Sequence, residues 1–177
     1  MRSKLFVFVV LVTASFVACG GSNKVSAKSY ATSVCGAAKT WVDDLQRESQ
    51  NVTAAATGSP AQGKQLLSSL VEHTISSTDT LISALQKAGV PDVKDGDQIS
   101  KALVDAFTQA KTSLENVRDD VAKLSSTDPQ AFASGAQTVS TKLTQAFDKA
   151  GSSLDKLKSP ELEAAGNSVQ ACNSLSQ

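Results

Sequence analysis

Apolar residues recur along this chain at steps of three and four positions, which is the spacing that places side chains on one face of an α-helix. Four long stretches follow this pattern, and no stretch alternates apolar and polar residues with the period of a strand. The first stretch runs from about residue 28 to the low fifties and carries the stripe Tyr30, Val34, Trp41 and Leu45. The pattern therefore predicts an all-α fold that opens with a long helix.

Three proline dipeptides divide the remaining pattern into helices. Ser59-Pro60 and Asp128-Pro129 each place a capping side chain directly before a proline, as at the first turn of a helix. Ser159-Pro160 separates a final short helix from the fourth long one. Because the connections are short, consecutive helices should run antiparallel. We therefore expect an up-down-up-down four-helix bundle with a short C-terminal helix folded onto one end.

The predicted third and fourth helices resemble each other in sequence. Leu103, Ala106 and Phe107 on the third recur as Leu143, Ala146 and Phe147 on the fourth. Two helices with the same packing needs in an alanine-rich chain can agree to this extent without common origin, so duplication and convergence both remain open.

The N-terminus has the organisation of an export signal. Arg2 and Lys4 precede an unbroken apolar run over residues 5–12, and small residues lead up to Cys19. A basic start, a short apolar segment and a small residue before the cut are typical of a secretory signal peptide. The run is too short to cross a membrane comfortably as a helix.

Residues 16–19, with the sequence Phe-Val-Ala-Cys, and the two glycines after them resemble the lipobox of bacterial lipoproteins. The resemblance implies that the Cys19 thiol receives diacylglycerol and that signal peptidase II cuts before it. Phe16 departs from the usual aliphatic residue, and a plain signal peptide with an incidental cysteine is the alternative. The expected organisation is a signal peptide over 1–18, a lipidated flexible tether over 19–27 and the helical bundle over 28–177.

Cysteine usage predicts one disulfide. The chain has three cysteines, and acylation of Cys19 leaves Cys35 and Cys172 as an even pair in an exported protein, where disulfides persist. Their bridge would hold the short terminal helix against the start of the first helix, beside Tyr30 and Val34. Two free buried thiols are the alternative.

Charge argues against nucleic acid as a partner. Removal of residues 1–18 takes two of the 17 basic residues and none of the 17 acidic ones, which leaves a net charge of −2. Arg47 and Arg118 are the arginines of the remaining chain. A near-neutral surface with few arginines and no basic run does not complement the negative charge of a nucleic-acid backbone.

The sequence predicts neither an enzyme nor a metal site. His73 is the single histidine, so paired-histidine zinc sites and Glu-x-x-His di-iron motifs are excluded. No nucleophile elbow accompanies it. Aspartates 92, 95 and 97 do not have calcium-loop spacing and are interpreted as turn formers and a helix cap. Aspartates 43, 44, 119 and 120 are interpreted as solvated charges on helix faces.

Tyr30, Trp41 and His73 are the candidate ligand contacts. Tyr30 and Trp41 share a face of the first helix, where they could line an apolar pocket or stack on a sugar or a flat cofactor. The alternative is that both are core residues, and that His73 is an ordinary half-buried helix residue.

Most of the mature chain resembles the small Ala/Ser/Thr-rich helical lipoproteins of actinobacteria. The resemblance rests on Cys19 with its glycines, Cys35 and Trp41 on the first helix, the turn at residues 88–91, and Cys172. The resemblance implies a lipoprotein anchored by lipid on the outer face of the cytoplasmic membrane, and it says nothing of activity. Because the sequence shows no catalytic constellation, we expect a binding or structural module that acts without catalysis. An envelope protein, a glycan or a lipid is the expected partner. The alternative function is a carrier of haem or a lipid in the bundle core, with Tyr30 or His73 as ligand.

Overall fold

The structure is a computed structural model that describes residues 24–55, 58–154 and 157–175. Its described part is mostly helical, as the sequence predicts. The elements are β1 (Lys24–Val25), α1 (Ala27–Ala55), α2 (Pro60–Lys87), β2 (Val90–Pro91), α3 (Gly96–Ala122), α4 (Pro129–Leu154), α5 (Pro160–Asn167) and α6 (Gln170–Leu175).

Side-chain hydrogen bonds from the preceding residue cap the first turns of α2 and α4. The Ser59 hydroxyl accepts from the backbone N–H of Gln62, and the Gln62 side chain accepts from the backbone N–H of Ser59 at 2.9 Å, which is a complete capping box. Asp128 Oδ1 accepts from the backbone N–H groups of Gln130 and Ala131 at 2.9 and 3.1 Å. Both predicted helix starts are confirmed.

The turn between α2 and α3 depends on two glycines. Gly89 has φ 81°, a left-handed conformation that ends α2 without the strain a side chain would add. A Cβ at Gly96 would lie 2.0 Å from the backbone oxygen of Pro91, so only glycine allows α3 to begin this close to β2. Asp95 precedes α3 with φ 57°, and its side chain makes no capping hydrogen bond. Asp95 therefore occupies the cap position of α3 without capping the helix through its side chain.

Successive long helices run in opposite directions along the contacts they share. Trp41 on α1 contacts Thr78 on α2, and Asp44 on α1 contacts His73 on α2. Residue numbers therefore rise along α1 as those of the contacting residues on α2 fall. The Lys64 ammonium near the start of α2 donates to the backbone oxygens of Ala122 and Leu124 at 2.6 and 3.0 Å, at the end of α3. Lys142 on α4 reaches Asp120 on α3 at 2.5 Å, and Leu124 just after α3 lies against Gly135 earlier on α4, so residue numbers rise along α3 as they fall along α4.

The main hydrophobic core belongs to α2, α3 and α4. Its buried members are Val71, Val117, Val121, Leu124 and Val139. Among the described side chains of α1, only Tyr30 and Ala31 are buried. The predicted stripe residues Val34, Trp41 and Leu45 are half-buried. Helix α1 therefore lies against this core without entering it.

The two ends of the described chain are tied to α1 and to the α2–α3 turn. Cys35 on α1 and Cys172 on α6 form a disulfide with a Cα–Cα distance of 5.0 Å, which confirms the predicted pairing. Both α5 and α6 pack against α1. At the other end, β1 pairs in parallel with β2, with Lys24 opposite Val90 and Val25 opposite Pro91.

Two expectations need correction. The segment expected to be a flexible tether up to residue 27 contains β1, and α1 begins at Ala27, because residues 24–25 pair with β2. The single short C-terminal helix is two helices, α5 and α6. They are divided at Ser168, whose backbone N–H donates to the backbone oxygen of Ala165 at 3.1 Å.

Candidate functional site

Trp41 lies at the centre of a contact between α1, α2, α3 and α4. Its indole N–H donates to the hydroxyl of Thr78, a side chain with no exposed surface, at 3.2 Å. Its ring meets those of Phe107 and Phe147 edge to face, with both centroids 5.6 Å away. Such edge contacts are favourable beyond the apolar area they bury. The single tryptophan is therefore held in one orientation by a polar contact and two aromatic ones.

A cleft of about 250 Å³ lies between α1 and α2, with Trp41 in its wall. Each helix lines it with four residues at the spacing i, i+3, i+4 and i+7, which keeps them on one face. The lining residues are Ala37, Thr40, Trp41, Asp44, Ser77, Thr80, Leu81 and Ala84. An engineered cavity of about 150 Å³ is enough for benzene, and most ligand pockets are somewhat larger than this cleft. The space therefore suits one small molecule or one side chain of a partner.

Asp44 supplies the charge in this cleft. Its carboxylate is 3.5 Å from His73 Nε2 on α2 and accepts from Arg47 on its own helix at 3.2 Å. Only 30% of the Asp44 side chain is exposed. The second ring nitrogen of His73, Nδ1, is buried and has no hydrogen-bond partner among the described residues. His73 therefore uses one nitrogen to hold Asp44 and turns the other towards the interior.

Tyr30 lies away from this cleft. It is buried, with 4% of its surface exposed, and its hydroxyl hydrogen-bonds Ser100 on α3. Burial raises the pKa of the Tyr30 phenol, and the Ser100 hydrogen bond lowers it by less. Ser100 in turn donates to Gly89 O at 3.0 Å. Tyr30 thus helps to hold α1 to the turn between α2 and α3.

The structure brings two of the three predicted ligand contacts together. Trp41 lines the cleft, and His73 reaches it through Asp44. Tyr30 is 14 residues before Asp44 on the same helix, a separation of about 21 Å at the rise of an α-helix. One small ligand therefore cannot contact both Tyr30 and His73.

A larger cavity of about 820 Å³ lies at the end of the molecule where β1 pairs with β2. Three lysines and one aspartate contribute its charges, and Ser100, the partner of Tyr30, is part of its wall. The lining residues are Lys24, Val25, Gln86, Lys87, Gly89, Val90, Asp97, Ser100, Lys101 and Val104. None of the three predicted ligand contacts lines this space.

Cys19, the predicted lipidation site, lies outside the described residues. Within 24–55, 58–154 and 157–175, no three His, Cys, Asp or Glu side chains are grouped as they would be to hold a metal ion. None of the helices in these ranges combines the length and apolar character needed to cross a membrane.

Sequence reasoning missed Asp44, which it interprets as a solvated charge, and Thr78, to which it assigns no role. The signal for the cleft is the matched spacing of small and polar residues at 37, 40, 41 and 44 and at 77, 80, 81 and 84. That signal is informative only once the register between α1 and α2 is known. Comparison of the chain with protein-family models, curated proteins and solved structures gives no significant match.

Proposed function

We propose that the chain is a lipid-anchored lipoprotein of the bacterial cell envelope that binds a ligand or partner without catalysing a reaction. The observation that carries the binding role is the α1–α2 cleft, whose wall contains the only tryptophan of the chain and the half-buried carboxylate of Asp44. The scaffold we propose is an up-down-up-down four-helix bundle closed by the C-terminal helices. The antiparallel contacts between successive long helices and the Cys35–Cys172 disulfide support it.

The environment of His73 favours binding over catalysis. A general base must reach the proton that it removes with a free ring nitrogen. His73 Nε2 faces the Asp44 carboxylate, and Nδ1 is buried without a partner among the described residues. His73 is not among the residues that line the cleft, and its unpaired nitrogen Nδ1 is buried, so a substrate in the cleft would not meet it.

The position of β1 supports an anchor at Cys19. Lys24 is five positions after Cys19, so their Cα atoms are at most about 17 Å apart in a fully extended chain. Because Lys24 is paired with Val90, a lipid on Cys19 would keep the β1–β2 end of the molecule close to the membrane. Trp41 lies 14 residues beyond the start of α1, about 21 Å along the helix. The cleft would then stand clear of the bilayer, where a ligand can reach it.

Replacement of Cys19 by serine tests the anchor. We expect Cys19→Ser to abolish acyl labelling of the protein in its native host and to release it from the membrane into the medium. Persistent acyl labelling of this variant would contradict the proposed lipidation site.

A rim substitution tests the cleft. Thr80 is exposed at the rim, and we expect Thr80→Arg to fill the cleft and reduce recovery of a partner from detergent-solubilised envelope. Thr108→Arg on α3 is the matched control, since Thr80 and Thr108 are both exposed and donate to the carbonyl oxygen four residues earlier. A partner that is recovered equally with both variants binds elsewhere on the molecule.

The second candidate function is a carrier of haem or a lipid. The half-buried aromatic cluster of Trp41, Phe107 and Phe147 favours it, because an apolar ligand could enter beside these rings if α1 moved away from α4. Haem binding would produce a Soret band, and mass spectrometry of lipid extracts from the native protein would identify a bound lipid. A Soret band that survives both Tyr30→Phe and His73→Ala would exclude these residues as haem ligands.

A further inference from the structure

The hydroxyl groups that line the α1–α2 cleft all direct their protons back to their own helices. Thr40 donates to Gly36 O at 3.0 Å and Thr80 donates to Ser76 O at 3.2 Å. Ser77 donates to Thr74 O, also at 3.2 Å. A hydroxyl that donates its single proton keeps its lone pairs, so each of these side chains offers an acceptor to the cleft.

The remaining polar side chains of the cleft add no free donor. The indole N–H of Trp41, the one donor among them, is taken by Thr78. Asp44 is a carboxylate, which only accepts hydrogen bonds. The polar side-chain atoms in the cleft wall therefore form a set of acceptors with one negative charge. A ligand that matches this set must donate hydrogen bonds, and a positive charge on it would be favourable.

The negative charge is accessible to such a ligand. Arg47 pairs with Asp44 at 3.2 Å, but 69% of the Arg47 side chain is exposed. Exposed ion pairs on a helix contribute little to stability, so a cation in the cleft can replace Arg47 with little loss. His73 approaches the other carboxylate oxygen from α2 at 3.5 Å and keeps Asp44 in place.

The rest of the wall is apolar. Ala37, Leu81 and Ala84 surround the space beside the indole of Trp41. A hydrocarbon body would lose contact with water there, and a cation close to an indole ring gains a further electrostatic attraction. The available volume of about 250 Å³ limits that body to about the size of one ring or a short alkyl chain.

We propose that the α1–α2 cleft binds an organic ammonium group carried on a small apolar body, with the ammonium on Asp44 and the body against Trp41. This proposal rests on the binding role proposed above and names the chemical class of the ligand. Carboxylates and phosphates are excluded from the site, since they would meet acceptors and a like charge. A neutral apolar ligand would bind more weakly, because it leaves Asp44 unused.

Three probes with the same ring and different charge test the proposal. Benzylamine, benzyl alcohol and benzoate can be titrated against the full mature protein in detergent, with emission from Trp41, the single tryptophan, as the readout. We expect saturable binding of benzylamine at least ten times tighter than that of benzyl alcohol, and no binding of benzoate. Nα-acetyl-lysine methylamide is a second ammonium probe that represents the side chain of a protein partner. Binding of either ammonium probe through Asp44 supports the proposal, and the tighter one identifies the source of the ammonium.

Two neighbouring aspartates provide the decisive variant and its control. Asp44→Asn removes the charge but keeps the shape, and we expect it to weaken benzylamine binding at least tenfold, to the level of benzyl alcohol. Asp43→Asn removes an exposed charge that pairs with Lys39 outside the cleft, and it should leave binding unchanged. Circular dichroism of both variants controls for folding.

The possible failures are distinguishable. If benzyl alcohol binds as tightly as benzylamine, or if Asp44→Asn has no effect, the ammonium assignment is overturned while the cleft remains a binding site. If none of the probes changes the emission of Trp41, the assignment is overturned together with the role proposed for the cleft.

Discussion

Trp41 on α1 donates a hydrogen bond from its indole N–H to the hydroxyl of Thr78 on α2, and the Thr78 hydroxyl donates in turn to Thr74 O at 2.7 Å. Thr78 is fully buried, so this short chain of hydrogen bonds is shielded from water. It determines which edge of the indole faces α2. The ring can therefore form one wall of the cleft and also meet Phe107 and Phe147.

Thr78→Val should destabilise the protein. Valine keeps the shape of threonine but leaves the Trp41 N–H without its acceptor, and an unpaired buried donor costs about 1–2 kcal/mol. We expect the free energy of unfolding, measured by urea denaturation, to fall by about that amount. Thr80→Val, at an exposed position whose hydroxyl contacts only its own helix, should change it by less than about 0.5 kcal/mol. Equal effects of the two substitutions would mean that the Trp41–Thr78 hydrogen bond is not important for stability.

Tyr30 should titrate at a higher pH than an exposed tyrosine. It is the single tyrosine of the chain, and burial raises its pKa above the ordinary value of 10.0. Ultraviolet absorbance of the phenolate can follow its ionisation directly.

The raised pKa of Tyr30 also makes the stability of the protein depend on pH. Because folding raises this pKa, the folded state keeps the phenol proton to a higher pH than the unfolded state does. The resulting contribution to the free energy of unfolding is fully present below about pH 10 and is lost as the pH rises through the folded-state pKa. A midpoint at or below 10.0 would contradict the burial of Tyr30.

Loss of the Cys35–Cys172 disulfide should loosen α1, α5 and α6 before the rest of the molecule. The bridge spans 137 residues, and chain-entropy arguments predict a loss of about 2–5 kcal/mol in unfolding free energy for Cys35→Ser with Cys172→Ser. The main core lies in α2, α3 and α4 and includes neither cysteine. We therefore expect most of the helical circular dichroism to remain while limited proteolysis cuts α1, α5 and α6 first.

Reduction of the wild-type protein should have the same effect as the double substitution, and a reductant should not affect the double variant. Simultaneous loss of all helices in the double variant would show that the core of α2, α3 and α4 depends on the disulfide.

Asp120 should stabilise the α3–α4 contact at neutral pH but not in acid. The hydrogen bond from Lys142, with a smaller contribution from Lys123, lowers the pKa of the Asp120 carboxyl below its ordinary value of 3.8. A lowered pKa gives stability that is present above 3.8 and is lost as the pH falls through the folded-state value. We expect Asp120→Asn to lower the Tm at pH 7 and the difference to vanish in strong acid. Asp119→Asn, at a more exposed position next to Arg118, is the control. A difference that persists in acid would indicate lost packing rather than lost charge.

Local hydrogen bonding explains which parts of the fold could be predicted from the sequence. Ser59 and Asp128 satisfy the backbone of the helices that they begin, so each helix start is determined by a few neighbouring residues. Strand β1 could not be predicted, because a two-residue pairing has no periodicity and depends on β2 being nearby. The half-burial of Leu45 was also not predictable. The apolar stripe of α1 gives the face that turns inward, but not how closely α4 approaches it.

The candidate site was predicted in part for the same reason. Trp41 and His73 are conspicuous because each is the single residue of its kind in the chain. Asp44 looks like any exposed helical charge until α2 brings His73 to within 3.5 Å of it. How α1 packs against α2 decides which of the two neighbouring aspartates, Asp43 or Asp44, faces the cleft.

The long span of the disulfide has a consequence for the order in which the protein matures. Cys35 emerges from the ribosome 137 residues before its partner, so its thiol must stay unreacted until Cys172 has also been made. The residues that build the core of α2, α3 and α4 are all made in that interval. The disulfide therefore closes only after the core residues have been made, and a premature bond from Cys35 to a foreign thiol would leave α5 and α6 without their covalent link to α1.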